Sequence, residues 1–216
     1  MIPKTLHYIW LGKDKPELVG QCEHSFKNFL SDYEIIKWNE SSIDFSCYND
    51  TVMQFWNKMY DSGKYAFCAD ISRLFILERY GGIFVDADVE FIKPMNDEIL
   101  NSNFLCRTTV SQRVDESTIW GCDQHNSLAT GCINWCTYYL ERYSESYGKL
   151  WRVGNLLESY FSLFGYNQRD HKNQKIFDYT IYSADYFNPK NFNSKKATLL
   201  NENTISIHHH LRSFIK

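Results

Sequence analysis

Tyr80-Gly81-Gly82-Ile83-Phe84-Val85-Asp86-Ala87-Asp88-Val89-Glu90 decides the fold. Ile83-Phe84-Val85 is a short apolar run that can only be a strand buried on both faces, and it stops at a carboxylate. The preceding segment, residues 64–80 (KYAFCADISRLFILERY), repeats its apolar positions at helical spacing, and Gly81 supplies the C-terminal stop. Helix, glycine turn, buried strand and acidic residue therefore follow one another. In an open α/β sheet, ligands bind beyond the carboxyl ends of the strands. Asp86 and Asp88 stand there as i and i+2, and in an extended chain their side chains would project from one face. Two carboxylates held together repel unless a cation sits between them. A hard divalent cation, Mn²⁺ or Mg²⁺, prefers oxygen ligands and keeps positions open for phosphate, so the pattern points to a metal and diphosphate site. The bland alternative is a solvated turn.

Outward from this block, residues 4–10 and 34–38 read as strands, 17–30 as a helix, and 50–60 as a helix capped by Asp50. Residues 89–92, 103–110, 117–121, 178–183 and 204–208 read as further strands. Helices are expected within 126–145 and 153–164. Strands alternate with helices in the first half, which predicts an α/β fold with a mostly parallel central sheet flanked by helices, in one domain over residues 1–216.

Composition narrows the chemistry. Of 216 residues, 44% are hydrophobic and 23% charged, as in a globular chain. The formal net charge of −3 and the lack of a basic run argue against nucleic acid as a ligand. No apolar run approaches the roughly 20 residues of a membrane span, and the N-terminus runs straight into a strand without a secretory signal. Seven scattered Cys lack paired zinc spacing and read as free thiols of a reducing cytoplasm. Aromatics at 17% suit a core, and equally a site that stacks sugars or bases.

Other candidates each carry two readings. Asp70 and Arg73, at i and i+3, share a helix face. They form a surface salt bridge, or they face the Asp86 cavity, where Arg73 would neutralise phosphate and Asp70 would bind a sugar hydroxyl. Trp10, at the end of the first strand, is a core residue or a flat platform for a nucleobase. His208-His209-His210 is a polar tail, or one of its imidazoles completes a metal site if the last strand returns to the sheet.

These residues resemble glycosyltransferase family 32, the "sugar-binding region containing DXD motif" proteins. The likeness is carried by Ile2 to Gly12, by Tyr33 to Glu40, and by the long block Tyr65 to Glu90, and it returns at Ile205 to Phe214. The resemblance implies a GT-A (Rossmann-like) fold and a retaining hexosyl transfer. The donor would be a nucleoside diphosphate sugar, a UDP-sugar by likeness, and the acceptor a saccharide in surface polysaccharide synthesis. It implies that Asp88 ligates Mn²⁺ or Mg²⁺ directly and that Asp86 reaches it through water while touching ribose. It places Ile9 and Trp10 against the nucleotide, has Asp70 and Arg73 contact the donor sugar, and makes His208, then His209, a further ligand. Asp88, Asp86 and Arg73 are the catalytic set. Ala69 stands where many relatives carry Ser, and Phe214 where many carry Trp. The short chain implies a small acceptor region, or peripheral association with the inner face of the cell membrane or a partner. Three other readings fit the residues less well. A haloacid dehalogenase-type phosphatase wants Thr or Val where Glu90 stands, and its motif on the first strand. A non-catalytic nucleotide-sugar binding module keeps the fold without turnover. An EF-hand loop needs Gly where Phe91 stands.

Overall fold

A computed structural model describes residues 1–12, 14–143, 153–191 and 199–211. The elements run β1 (Thr5–Ile9), α1 (Glu17–Phe29), β2 (Glu34–Trp38), α2 (Asp50–Asp61), α3 (Tyr65–Tyr80), β3 (Gly82–Val85), β4 (Val89–Phe91), β5 (Asn103–Arg107) and β6 (Val114–Cys122). They continue with α4 (Ser127–Arg142), α5 (Val153–Leu163), β7 (Gln174–Ile176), β8 (Tyr179–Tyr182), α6 (Ala184–Phe187) and β9 (Ser206–His208). Seven strands form the central sheet in the order β2-β1-β3-β6-β5-β8-β7. β2, β1, β3, β5 and β8 run one way, and β6 and β7 run against them. The α/β fold with a mostly parallel sheet is therefore the one observed. β4 and β9 form a separate antiparallel ribbon.

Side-chain alternation on β3 splits the core into two layers. Phe84 points to the face covered by α2, α3, α4 and α5, while Ile83 and Val85 point to the face covered by α1 and the β4–β9 ribbon. All four β3 residues are buried, which is why the strand reads as an unbroken apolar run. α3 lies between the sheet and the helices α2 and α4, so its apolar residues extend round much of its circumference. It buries Cys68, Ile71, Leu74, Ile76 and Leu77, and also Ser72 and Arg73. Ser72 is satisfied by the Trp56 indole N–H at 3.0 Å.

The turn from α3 into β3 requires glycine twice. Gly81 and Gly82 have φ of 63° and 88°. A Cβ on Gly81 would sit 2.6 Å from the Gln124 nitrogen, and one on Gly82 would sit 2.7 Å from the Thr5 carbonyl oxygen. His7 locks this turn to the neighbouring strands. Its Nδ1 accepts from the Trp38 indole N–H at 3.1 Å, which leaves its Nε2–H to donate to the Gly81 carbonyl at 3.0 Å.

Three details depart from the sequence reading. Asp50 begins α2 but does not cap it; Asn49 does, accepting from the Val52 N–H at 2.9 Å. The segment 117–121 is part of a nine-residue β6 that begins at Val114. β7, a three-residue edge strand, is too short and too polar for its pattern to stand out. All seven Cys are free, as expected. Among the described residues, no helix is long and apolar enough to cross a membrane.

Burial pushes the His7 imidazole down from 6.5 to about 4, against the pull of the Gly81 carbonyl. Between those values the unfolded chain binds a proton that the folded chain refuses. His7's contribution is therefore complete above pH 6.5 and is lost as pH falls towards 4. From pH 7 to pH 5, urea unfolding should show the wild type losing about 2 kcal/mol more stability than His7→Gln, which keeps both hydrogen bonds without titrating. Equal losses would show that His7 is not the group responsible.

Candidate functional site

β3 ends where the Asp86 N–H makes its last ladder bond, 3.2 Å to the Ser117 carbonyl. The chain then turns at once: the Val89 N–H returns to the Asp86 carbonyl at 3.1 Å, closing a β-turn over Asp86-Ala87-Asp88-Val89. The two carboxylates converge because of this turn, not because the chain stays extended. The turn also sends β4 away from the sheet to pair with β9, with Val89 opposite His208. The last strand thus returns to β4, and not to the central sheet, and this brings an imidazole beside the acidic turn. The Asp88 carbonyl accepts the His209 N–H at 3.0 Å, and its Oδ2 accepts the Leu211 N–H at 2.7 Å.

Asp86, Asp88 and His208 each offer a ligand atom, and these atoms lie within 4.8 Å of one another. His208 Nε2 is 3.3 Å from Asp88 Oδ1 and 3.7 Å from Asp86 Oδ2. Adjacent ligands of an octahedral ion bound at about 2.1 Å stand about 3 Å apart, so this spacing fits a divalent cation with little adjustment. Two carboxylates and one imidazole are the mixed O/N set that Mn²⁺ accepts. Arg73, fully buried from α3, sits beneath: its Nη2 donates to Asp86 Oδ1 at 2.6 Å and is 3.6 Å from Asp70 Oδ1. Its guanidinium covers the Phe84 ring at 5.1 Å, while Nε and Nη1 have no hydrogen-bond partner among the described residues.

Charge is unevenly shared across this cluster. Burial pushes the Asp86 carboxyl up to about 7, opposed by Arg73 and His208. Burial would also raise Asp88, but the charge and hydrogen bond of His208, with the Leu211 N–H, hold it well below the usual carboxylate range. Burial works against a charged His208, yet Asp88, Asp86 and Asp115 lift the imidazole to about 9. Glu116, on β6, is raised by burial and by Asp115 to about 8.

The sequence candidates are thus sorted. Asp70, Arg73, Asp86, Asp88 and His208 come together. His209 does not join them: β-strand alternation turns its ring away, and its Nε2 meets Glu90 Oε2 at 2.8 Å. Ile9 is buried in the core, paired across the sheet with Trp38. Trp10 follows β1, half-buried, with its N–H bonded to the Trp38 carbonyl and its indole N–H without a partner among the described residues. Phe214 lies outside the described residues. The sequence reading missed Asp115, Glu116, Thr118 and Asn188, which surround the cluster from β6 and from the residue after α6. Only a polar DEST run inside a strand could have signalled the first three.

Removing one partner of a buried ion pair typically costs about 3–5 kcal/mol. Asp86 is 28% exposed, which moderates the penalty. Arg73→Met should lower stability by about 2 kcal/mol in urea unfolding, and adding Asp86→Asn should restore at least half of it. A double variant as unstable as the single one would exclude a stranded carboxylate as the cause.

Two curated proteins of Schizosaccharomyces pombe match part of the chain. Inositol phosphoceramide mannosyltransferase 3 is 35% identical over 89 residues, 41% of this chain and 24% of that protein. Inositol phosphoceramide mannosyltransferase 1 is 26% identical over 119 residues, 50% of this chain and 34% of that protein. The matches thus span about a quarter to a third of those relatives. Among solved structures, the PaToxG glycosyltransferase superposes with a TM-score of 0.51 at 17% identity, covering 67% of this chain and 64% of that one. A glycosyltransferase involved in glycosylation of the major capsid of PBCV-1 gives 0.50 at 8% identity, covering 94% and 92%. The fold is therefore GT-A. Residues 3–214 match the family described as "Capsular polysaccharide synthesis protein", and the chain, with its acidic turn at the carboxyl edge of a GT-A sheet, belongs to that family.

Proposed function

We propose that this chain is a metal-dependent, retaining glycosyltransferase that moves a hexose from a nucleoside diphosphate sugar, a UDP-sugar by family likeness, to a saccharide acceptor in surface polysaccharide synthesis. One observation carries the reading: Asp86, Asp88 and His208 converge beside the Arg73 guanidinium at the carboxyl end of β3. The matched family and the partial likeness to mannosyltransferases support transfer of a sugar.

Asp88, His208 and, more loosely, Asp86 would hold Mn²⁺ or Mg²⁺. When bound, the ion would supply positive charge to offset the negative charge of a departing diphosphate. The chain's own residues contribute the rest. Arg73 is held rigidly by the α3 core, so its charge is aimed without reorganisation. Asp70, on the same helix and one-third exposed, would accept a hydroxyl hydrogen bond from the donor sugar. Trp10, which follows the neighbouring parallel strand, would stack on the base by family likeness. Asp86 joins the two halves, held by Arg73 on one oxygen and facing His208 with the other.

A panel of UDP- and GDP-sugars with and without Mn²⁺ tests the donor. A ligand at one hundred times its Kd stabilises by about 2.7 kcal/mol, which for a chain of this size raises Tm by about 5–10 °C. The expected pattern is a UDP-sugar shift that needs Mn²⁺. Asp88→Asn, which still accepts from Leu211, should abolish that shift, sugar transfer and slow donor hydrolysis together. Wild-type rates in Asp88→Asn would remove the site assignment. Phosphate release from a simple phosphomonoester would favour the phosphatase reading instead.

A further inference from the structure

We propose that Asp115 and Thr118 are positioning residues that fix His208 with its proton on Nδ1 and its Nε2 turned to the carboxylate pair. The inference uses the site reading above only for the identity of the group that Nε2 meets.

The relay begins with an irregularity in β6. Leu105 pairs with Trp120, but the next β5 residue, Cys106, pairs with Asp115, so residues 116–119 bulge from the β5 ladder. Bulges commonly re-aim side chains next to functional sites. Here the bulge wraps the Asp115 carboxylate in its own chain. Oδ1 accepts from the Ser117 N–H at 3.0 Å, the Ser117 hydroxyl at 2.6 Å and the Thr118 N–H at 3.4 Å. Oδ2 accepts from the Thr118 hydroxyl at 2.7 Å and the Asn188 amide at 2.9 Å. Among the described residues, five donors and no acceptor surround the carboxylate, so it has no use for a proton.

Thr118 has one hydroxyl proton, and Asp115 takes it. The same oxygen lies 2.7 Å from His208 Nδ1. Were Nδ1 to accept, Thr118 Oγ1 would face the carboxylate at 2.7 Å lone pair to lone pair. Nδ1–H must therefore be the donor, which leaves Nε2, 3.3 Å from Asp88 Oδ1, facing the carboxylate pair. Asp115, Thr118, Asn188 and His208 are all buried, so water does not compete for these bonds. Asn188 is itself held: its Oδ1 faces His210 Nε2 at 3.2 Å, and the His210 ring lies 4.0 Å from that of His208.

Partners of this kind, set behind a metal-ligating imidazole, typically change metal affinity by roughly 10- to 100-fold. Thr118→Val keeps the branched shape and deletes the hydroxyl, while Thr118→Ser keeps the hydroxyl. Two readouts apply to each folded protein: the Mn²⁺ Kd without nucleotide, and the His208 Nδ1–H proton resonance in the metal-free protein, assigned by its loss in His208→Gln. In the wild type and Thr118→Ser the resonance should be present and slow to exchange with water, with Mn²⁺ Kd values within about threefold of each other. In Thr118→Val the Nδ1–H loses its acceptor, so its resonance should move upfield and exchange faster with water, and the Mn²⁺ Kd should weaken by roughly 10-fold or more. An Nδ1–H resonance unchanged in shift and protection, or an unchanged Kd, in Thr118→Val overturns the proposal, as does a Thr118→Ser protein no better than Thr118→Val. If wild type binds no Mn²⁺, the metal reading of the site fails while the Nδ1–H resonance still decides the relay.

Discussion

Two carboxylates held on a tight turn at the end of a buried strand are mutually repulsive, and the site is organised around that fact. Arg73 answers from below, bonded to Asp86 at 2.6 Å, and His208 answers from the side, between Asp86 and Asp88. Neither partner is local. Arg73 comes from the middle of α3, and His208 comes from the far end of the chain. The positive charges are fixed by burial, because each sits in packed surroundings with little freedom to swing away. That rigidity suits the role proposed for the site, since the dipoles and charges are already oriented.

The scaffold supports the turn at each point. Gly81 and Gly82 let α3 reverse into β3 at close quarters with β1 and with the Asp123–Gln124 segment. His7 ties the Gly81 carbonyl to the Trp38 indole, so β1, β2 and the start of β3 share one buried polar link. On the other face, Ser25 of α1 accepts the Phe91 N–H, which holds the β4–β9 ribbon against α1. The β6 bulge closes the arrangement, because it lets one strand serve both as a sheet partner of β3 and as the cradle of Asp115.

Much of this was legible from residue order. α3, β3 and the glycine turn follow from the 3.6-residue period, the unbroken apolar run and the two glycines. The pairing of Asp70 with Arg73 follows from i, i+3 spacing. Errors arose where a short-range rule met a long-range contact. Asp50 looked like a cap because capping residues are neighbours in sequence, and Asn49 took the role by one position. His209 looked equivalent to His208 because adjacent histidines are chemically alike, but strand alternation separated them by a face. Asp86 and Asp88 do converge, but on a turn and not along an extended chain.

The sequence by itself determined the helix–turn–strand that ends in Asp86, the acidic pair, the lack of paired cysteines and the mostly parallel sheet. Each of these depends on local periodicity or on residue type. Only the tertiary structure decided which histidine meets the aspartates, that Arg73 is buried and not a surface ion pair, and that Asp115 and Thr118 stand behind His208. Those outcomes rest on strand register, on a four-residue bulge and on a pairing between residues 89 and 208. Contacts across so many residues are set by how the core packs, and packing leaves no mark in the order of a few neighbouring side chains.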